Sequence, residues 1–198
     1  MNYYKTLNKA SEILKNHSIK TAQLDAEIIL SSVLNLKRED LLLNLENKIS
    51  ENEYKYFLNL IYRRKKKEPV AYLIGYKEFW KEKFIVNSDV LIPRPDTETI
   101  VEEVLKKIPI NSSKNILDIG TGSGCIALSI LKERKKTFIT AVDISKNALK
   151  VAKVNAKIQQ VENRIKFINS NIDKFCTGKY DLIISNPPYI KSLSIKNL

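Results

Sequence analysis

No apolar stretch in this sequence approaches the roughly eighteen residues that a membrane-spanning helix requires, which sets a transmembrane protein aside. The first residues, Met1-Asn2-Tyr3-Tyr4-Lys5, lack the apolar core of a secretion signal, so a cytoplasmic protein away from any membrane is expected. Cysteine is scarce. Cys125 follows a glycine-rich loop and Cys176 falls in another loop far along the chain, a separation that suggests neither a disulfide framework nor a zinc site. The lone histidine, His17, stands at an expected helix end without ligand-type neighbours. Imidazole, thiolate and metal chemistry are therefore left without candidate residues, and no metal site is expected. Internal repeats and low-complexity tracts are absent as well.

Positive charge is in excess. The net charge is +12 at pH 7, spread over both halves of the chain without a basic tail. A diffuse positive field steers encounters toward an acidic protein surface or nearby RNA. Abundant Lys, Asn and Ile throughout can equally reflect a biased codon pool. The one dense run, Arg63-Arg64-Lys65-Lys66-Lys67, closes an expected helix, where cations complement the macrodipole; that reading is preferred to a nucleic-acid patch. At 198 residues the chain can bury one core or split into a small helical unit and a larger α/β unit.

The first part reads as helices. Leu7, Ala10 and Leu14 recur at helical spacing, Ala22, Ala26, Ile29, Leu30 and Val33 form a second stripe, and Leu41, Leu42 and Leu45 a short third. A fourth opens on Ser50 and Glu53 in capping-box spacing, lines one face with Tyr54, Phe57, Leu58 and Ile61, and stops before Pro69. From Tyr76 to Val90, aromatic and β-branched residues alternate with charges and predict a β-hairpin. Ile92-Pro93-Arg94-Pro95 forces an extended path, and Asp96 is placed to cap a helix running through Ile100, Val101, Val104 and Leu105 to Ile108. Beyond Pro109, four strands ending near Ile119, Asp143, Ile168 and Ser185 alternate with two clear helices and a glycine-containing loop, the pattern of a parallel sheet.

Two motifs carry chemistry. The strand Asn115-Ile116-Leu117-Asp118-Ile119 runs into Gly120-Thr121-Gly122-Ser123-Gly124 and then a helical stretch. A dinucleotide fingerprint would need Gly or Ala where Cys125 stands, so a pyrophosphate cradle is disfavoured. The next strand ends in Asp143, about twenty residues past the glycines, where an acid can accept from both hydroxyls of a ribose. Adenosine with a non-phosphate tail is the ligand that this favours; the alternative makes Asp143 a helix cap before Ser145. Near the end, Leu182-Ile183-Ile184-Ser185 reads as a buried parallel strand followed by Asn186-Pro187-Pro188-Tyr189. The Asn186 side-chain oxygen and the Pro187 carbonyl can accept the two N–H bonds of a planar NH₂ group, and Tyr189 can cover its plane. The alternative there is a strand that ends in a rigid Pro-Pro turn.

Together these segments resemble the cofactor loop, ribose acid and amino-methylation motif of class I S-adenosylmethionine-dependent methyltransferases. Glu68-Pro69-Val70-Ala71-Tyr72-Leu73-Ile74-Gly75, Glu78-Phe79-Trp80 and Leu91-Ile92-Pro93-Arg94-Pro95-Asp96-Thr97-Glu98 further resemble the HemK/PrmC family, which methylates a glutamine of peptide chain release factors. The resemblance implies an α/β protein: a helical substrate-recognition domain over residues 1–75, a β-hairpin linker over 76–95, and a Rossmann-like methyltransferase domain over 96–198. That domain lacks its last strands, because family members continue past the Asn-Pro-Pro-Tyr motif. It implies S-adenosyl-L-methionine held by Gly120, Thr121, Gly122, Ser123, Gly124, Asp143, Asn171 and Asn186, with Asn171 standing where the family usually carries an acid toward the adenine. Asn186, Pro187 and Tyr189 are the implied catalytic residues, and Asn186, Pro187, Pro188 and Tyr189 the substrate contacts. Arg94, Thr97 and Glu98 could line the cofactor mouth, although capping and surface pairing explain them nearly as well. A monomer acting on release factors, with no nucleic acid required, is expected. Two rivals stay open: adenine N6 methylation of nucleic acid, and a catalytically dead cofactor-binding remnant whose fourth strand is a bare apolar edge.

Overall fold

The computed structural model, which describes residues 1–175 and 178–187, groups into two units, Met1–Gly75 and Tyr76–Leu198. In the first unit, Asn2 accepts the Lys5 backbone N–H at 3.0 Å and starts α1 (Tyr3–Lys15), which buries Tyr3, Leu7, Ala10 and Leu14 along one stripe. Helix α2 (Ala22–Val33) buries Ala22, Ala26, Ile29 and Leu30 against it. Helix α3 (Arg38–Leu43) is short and buries only Leu41; Leu42 is exposed, so the expected third stripe shrinks to Leu41 with the partly buried Leu45 packed beside the core. Helix α4 (Glu51–Lys65) begins with a complete capping box between Ser50 and Glu53, as its spacing predicts. Its buried face is Phe57, Leu60 and Ile61. A short helix, α5 (Val70–Ile74), closes the unit at Gly75, whose φ of +82° ends the turn.

The basic run at the end of α4 is partly structural. Arg64 reaches 39 residues back to the buried Asp25 at 2.7 Å, and Arg63 pairs with Glu68 at 2.8 Å. Two of the five cations in that run are thus tied down by carboxylates.

The second unit opens with an antiparallel hairpin, β1 (Tyr76–Phe79) and β2 (Glu82–Ile85), as the aromatic and β-branched pattern predicts. Phe79 and Phe84 meet edge to face at 6.1 Å and enter the core shared by α6 (Glu98–Lys107) and α7 (Cys125–Glu133). Trp80 takes a φ of +58° in the hairpin turn. It is held there by its backbone N–H to Glu98 (2.7 Å) and its indole N–H to Glu133 (2.9 Å). Asp96 does not cap α6: it lies in a 3₁₀ turn, Pro95–Thr97, whose Asp96 carbonyl accepts the Thr99 hydroxyl. Fixed φ values at Pro93 and Pro95 bring the chain into that turn, so the helix starts at Glu98, one residue later than an Asp96 cap would set it.

A four-stranded parallel sheet follows, built from β3 (Asn115–Ile119), β4 (Phe138–Asp143), β5 (Ile165–Asn169) and β6 (Leu182–Ser185), in the order β5-β4-β3-β6. Helix α7 joins β3 to β4, and α8 (Lys146–Ile158) joins β4 to β5. The protein is therefore an α/β fold with a helical first unit and a Rossmann-like sheet in the second. Helix α7 is buried on every side from Cys125 to Leu131, which explains why its sequence reads as one apolar block and not as a stripe. In the sheet, Ile183 is 59% exposed on β6. Among the described residues, no helix is long and apolar enough to cross a membrane.

Candidate functional site

The sheet topology decides where a ligand can sit. From β3 the chain moves through β4 to β5, then returns to the other side of β3 for β6, so the winding direction reverses between β3 and β6. Connections leave that point in opposite directions, which opens a crevice at the carboxyl ends of the strands. Ile119 pairs with both Val142 and Ser185, and Asp143 pairs with Asn169, so the four strand tips stand level. The Ser185 hydroxyl donates to the Ile119 carbonyl at 3.2 Å and ties the two tips that flank the crevice.

The glycine loop is anchored from below. Gly120 and Thr121 both donate to the Val142 carbonyl, at 2.8 and 3.1 Å, and Gly122 donates to an Asp143 carboxylate oxygen at 2.9 Å. The other Asp143 oxygen accepts the Ser145 N–H at 2.8 Å, while Ser145 itself caps α8 by accepting from Ala148 at 3.1 Å. Asp143 thus braces both the loop and the turn into α8; the cap of that helix is Ser145 and not Asp143, and the ribose contact expected of Asp143 is a different one from the two it makes here. Gly122 has a φ of +56°, and a Cβ there would meet nothing within 4 Å, because that face of the loop is open. Gly124, with a φ of +81°, is the opposite case: a Cβ would come within 3.1 Å of Leu128 and 3.3 Å of Ala152. One glycine leaves room for a ligand, and the other lets the loop press onto α7 and α8.

Beneath the loop lies Asp118, 2% exposed, whose carboxylate accepts the Thr121 hydroxyl at 2.7 Å. Burial pushes its pKa up from 3.8 to about 6; the Thr121 hydrogen bond opposes this and the neighbouring Asp143 charge adds to it. The Cys125 thiol is also buried, and burial pushes it up to about 12, so it stays protonated and unreactive near neutral pH. The loop is steadied laterally by Asn155, which is wholly buried on α8. Its side chain accepts from the Ile85 N–H (2.7 Å) and donates to the Ile85 carbonyl (3.0 Å) and the Ser123 carbonyl (2.9 Å), fastening the hairpin to the loop.

A cavity of about 400 Å³ opens above these groups. One wall is the segment before α6, with Ile92, Pro93, Arg94 and Thr97; the floor is Gly120, Thr121, Gly122 and Ser123; the far wall is Asn186 and Pro187 at the β6 tip. Residues separated by more than 90 positions in sequence therefore line one space. The Asn186 amide nitrogen donates to the Thr97 hydroxyl at 3.1 Å. Of the expected cofactor residues, Gly124, Asp143 and Asn171 do not line the cavity. Asn171 begins the 3₁₀ turn Ile172–Lys174, and its side-chain oxygen accepts the Asp173 N–H at 3.1 Å. Arg94 lines the cavity, whereas Glu98 turns to the Trp80 N–H. Pro188, Tyr189 and Cys176 lie outside the described residues.

An open glycine floor with a braced acid behind it and a carboxamide at the neighbouring strand tip is the architecture of a methyltransferase sheet, and residues 96–197 match the methyltransferase small domain. Residues 5–75 match the PrmC N-terminal domain. Among individual relatives, the release factor glutamine methyltransferase of Buchnera aphidicola subsp. Schizaphis graminum is 42% identical over all of this chain and 70% of its own length. That of Leptospira interrogans is 45% identical over 93% of this chain and 66% of its own length. The bifunctional methyltransferase of Rickettsia felis is 42% identical over 94% of this chain but only 41% of its own length. The chain belongs to the release factor glutamine methyltransferase family. It spans about two fifths of the bifunctional relatives it matches and about two thirds of the release factor enzymes.

Three residues of this site carry no sequence motif that assigns their contacts. Asp118 stands inside the strand-loop motif, and only its burial marks it as unusual. Asn155 reads as an ordinary polar residue of a helix; the one available signal was a polar side chain on the apolar stripe of Ala148, Val151, Ala152 and Ala156. Thr97 reads equally well as a capping residue.

Proposed function

We propose that the chain transfers a methyl group from S-adenosylmethionine to the side-chain amide nitrogen of a glutamine in a peptide chain release factor, as a cytoplasmic monomer. Residues 1–75 serve as the module that engages the protein substrate, and residues 96–198 hold the cofactor. One observation carries the reading: the Asn186 carboxamide and the open glycine floor face the same cavity, with the amide nitrogen of Asn186 spent on Thr97.

The residues present fit the cofactor. The open face at Gly122 accepts an adenosine-sized group without a Cβ in the way, and Ile92, Pro93, Ile100 and Ile126 supply apolar walls. Asp143 holds the loop in the open form. When bound, S-adenosylmethionine supplies an electrophilic methyl on a positively charged sulfur, and the acidic ground under the loop, Asp118 and Asp143, favours a cation there.

The remaining difficulty is the nucleophile. An amide nitrogen shares its lone pair with its carbonyl and attacks poorly unless it is held and aimed. The Asn186 side-chain oxygen and the Pro187 carbonyl accept its two N–H bonds, and both contacts strengthen as positive charge grows on nitrogen, which is stabilisation specific to the transition state. Fixed aim at the methyl supplies much of the rest. With S-adenosylmethionine bound, these two acceptors would hold the amide nitrogen while its new N–C bond replaces the methyl's S–C bond, the thioether would be the leaving group, and the acidified nitrogen would lose its proton to water.

Methyl incorporation from labelled S-adenosylmethionine into purified release factor, with DNA and RNA as parallel substrates, tests the proposal. Label in the release factor glutamine supports it; label only in nucleic acid refutes it. Cofactor binding by equilibrium titration with no turnover on any substrate would mark the chain as a cofactor-binding remnant.

A further inference from the structure

The Asn186 side chain has two chemically different ends, and catalysis as proposed above works with only one of them turned to substrate. With the oxygen inward, the carboxamide accepts an N–H of the incoming amide; with the nitrogen inward, it would set a donor against a donor. Rotating the terminal amide by half a turn changes its shape hardly at all, so packing alone chooses weakly between the two. A hydrogen-bond partner can hold one of them: a threonine hydroxyl both donates and accepts, and here it accepts from the Asn186 nitrogen, which leaves the Asn186 oxygen unclaimed.

Thr97 is placed to hold that arrangement. Its hydroxyl receives the Asn186 amide nitrogen at 3.1 Å across 89 residues of sequence, and both side chains line the cavity. The position of Thr97 is itself over-determined. Its backbone N–H donates to the Arg94 carbonyl at 3.0 Å, closing the 3₁₀ turn; the next residue, Glu98, accepts the Trp80 N–H at 2.7 Å; and the Thr99 hydroxyl donates to the Asp96 carbonyl at 2.7 Å. Trp80 is in turn held by Glu133. The hydroxyl therefore sits on a fixed platform made by the hairpin turn and the first turn of α6, while the strand tip that carries Asn186 is tied to β3 through Ser185. Two rigid elements, meeting at one hydrogen bond, hold the amide in place.

We infer that Thr97 is a positioning residue for methyl transfer, holding the Asn186 carboxamide at the cavity wall with its nitrogen on the Thr97 hydroxyl and its oxygen free for the substrate nitrogen. The catalytic part of this inference rests on the function proposed above; the structural part does not.

The test compares Thr97→Val, which keeps the shape and removes the hydroxyl, with Thr97→Ser, which keeps the hydroxyl. Loss of one orienting hydrogen bond to a group that acts in the transition state predicts a fall in kcat of about tenfold for Thr97→Val, with KM for release factor within about twofold. S-adenosylhomocysteine affinity is expected to change little, and Thr97→Ser to recover most of the loss. Unchanged turnover in Thr97→Val, equal damage in Thr97→Ser, or a loss explained by weaker cofactor binding would each overturn the inference. If the parent chain does not methylate release factor, the proposed function fails, and the inference is decided by nuclear magnetic resonance of the Asn186 side-chain NH₂, assigned through its loss in Asn186→Asp. Solvent exchange of that NH₂ is expected to quicken about tenfold or more in Thr97→Val and to stay slow in Thr97→Ser; identical exchange in the parent and Thr97→Val refutes it.

Discussion

Replacing Asp118 by Asn should stabilise the chain at neutral pH and leave it unchanged in acid. Asp118 is 2% exposed, and its oxygen accepts the Thr121 hydroxyl, a bond that an asparagine oxygen can keep. Its pKa rises from 3.8 to about 6 on folding, chiefly through burial. A carboxyl whose folded pKa lies above its unfolded value favours the folded state while protonated, so this contribution is complete below about pH 4 and is lost as the pH climbs through 6. A rise from 3.8 to about 6 corresponds to about 3 kcal/mol at pH 8, at roughly 1.4 kcal/mol for each tenfold change in proton affinity. Relaxation of the buried site reduces that, so about 2 to 3 kcal/mol is expected. Urea unfolding of both cofactor-free chains from pH 4.5 to 8 reads the difference directly. The two stability curves should lie closest at the acid end, with roughly a third of the gap already open at pH 4.5, diverge up to about pH 6 and then run level, with Asp118→Asn on top. A constant gap, or a parent chain that gains on the variant as pH rises, would refute the reasoning.

Other expectations follow from the same contacts. Asn155→Ala strips partners from the Ile85 N–H, the Ile85 carbonyl and the Ser123 carbonyl and should cost about 3 kcal/mol, read as a lower urea midpoint; a shift under about 0.5 kcal/mol contradicts the clamp. Asp25→Ala takes the carboxylate away from the partly buried Arg64 and should cost about 2 kcal/mol, whereas converting both residues to apolar ones should return part of the loss in a double-mutant cycle. Gly122→Val forces a β-branched residue to a φ of +56° on the open face of the loop, so S-adenosylhomocysteine binding by calorimetry should weaken at least about tenfold while the helical unit keeps its circular dichroism.

Much of this fold was legible because its signals are local. The Ser50 and Glu53 capping box, the strand that ends at Asp143 and the glycine loop after Ile119 are each written within a few adjacent residues, where periodicity and turn chemistry decide the outcome. The family resemblance also rested on short runs of this kind, and the family assignment agrees with it. What stayed hidden depends on tertiary placement. Leu42 follows the apolar period, yet α3 is too short to turn it inward. Asp96 has cap chemistry, but two prolines carry it into a 3₁₀ turn instead. Arg64 reads as one more cation at a helix end until Asp25 comes within 2.7 Å of it. Thr97 and Asn186 acquire a shared role only once a return crossing of the sheet brings residues 89 apart into one hydrogen bond.

The central claim is tested most directly by Asn186→Ala in a methyl-transfer assay with release factor as substrate and S-adenosylhomocysteine binding measured beside it. The account predicts that turnover falls by a factor of about a hundred or more, well beyond any loss of cofactor affinity, because one of the two N–H acceptors is removed from the reacting nitrogen. Turnover equal to that of the parent chain would contradict it.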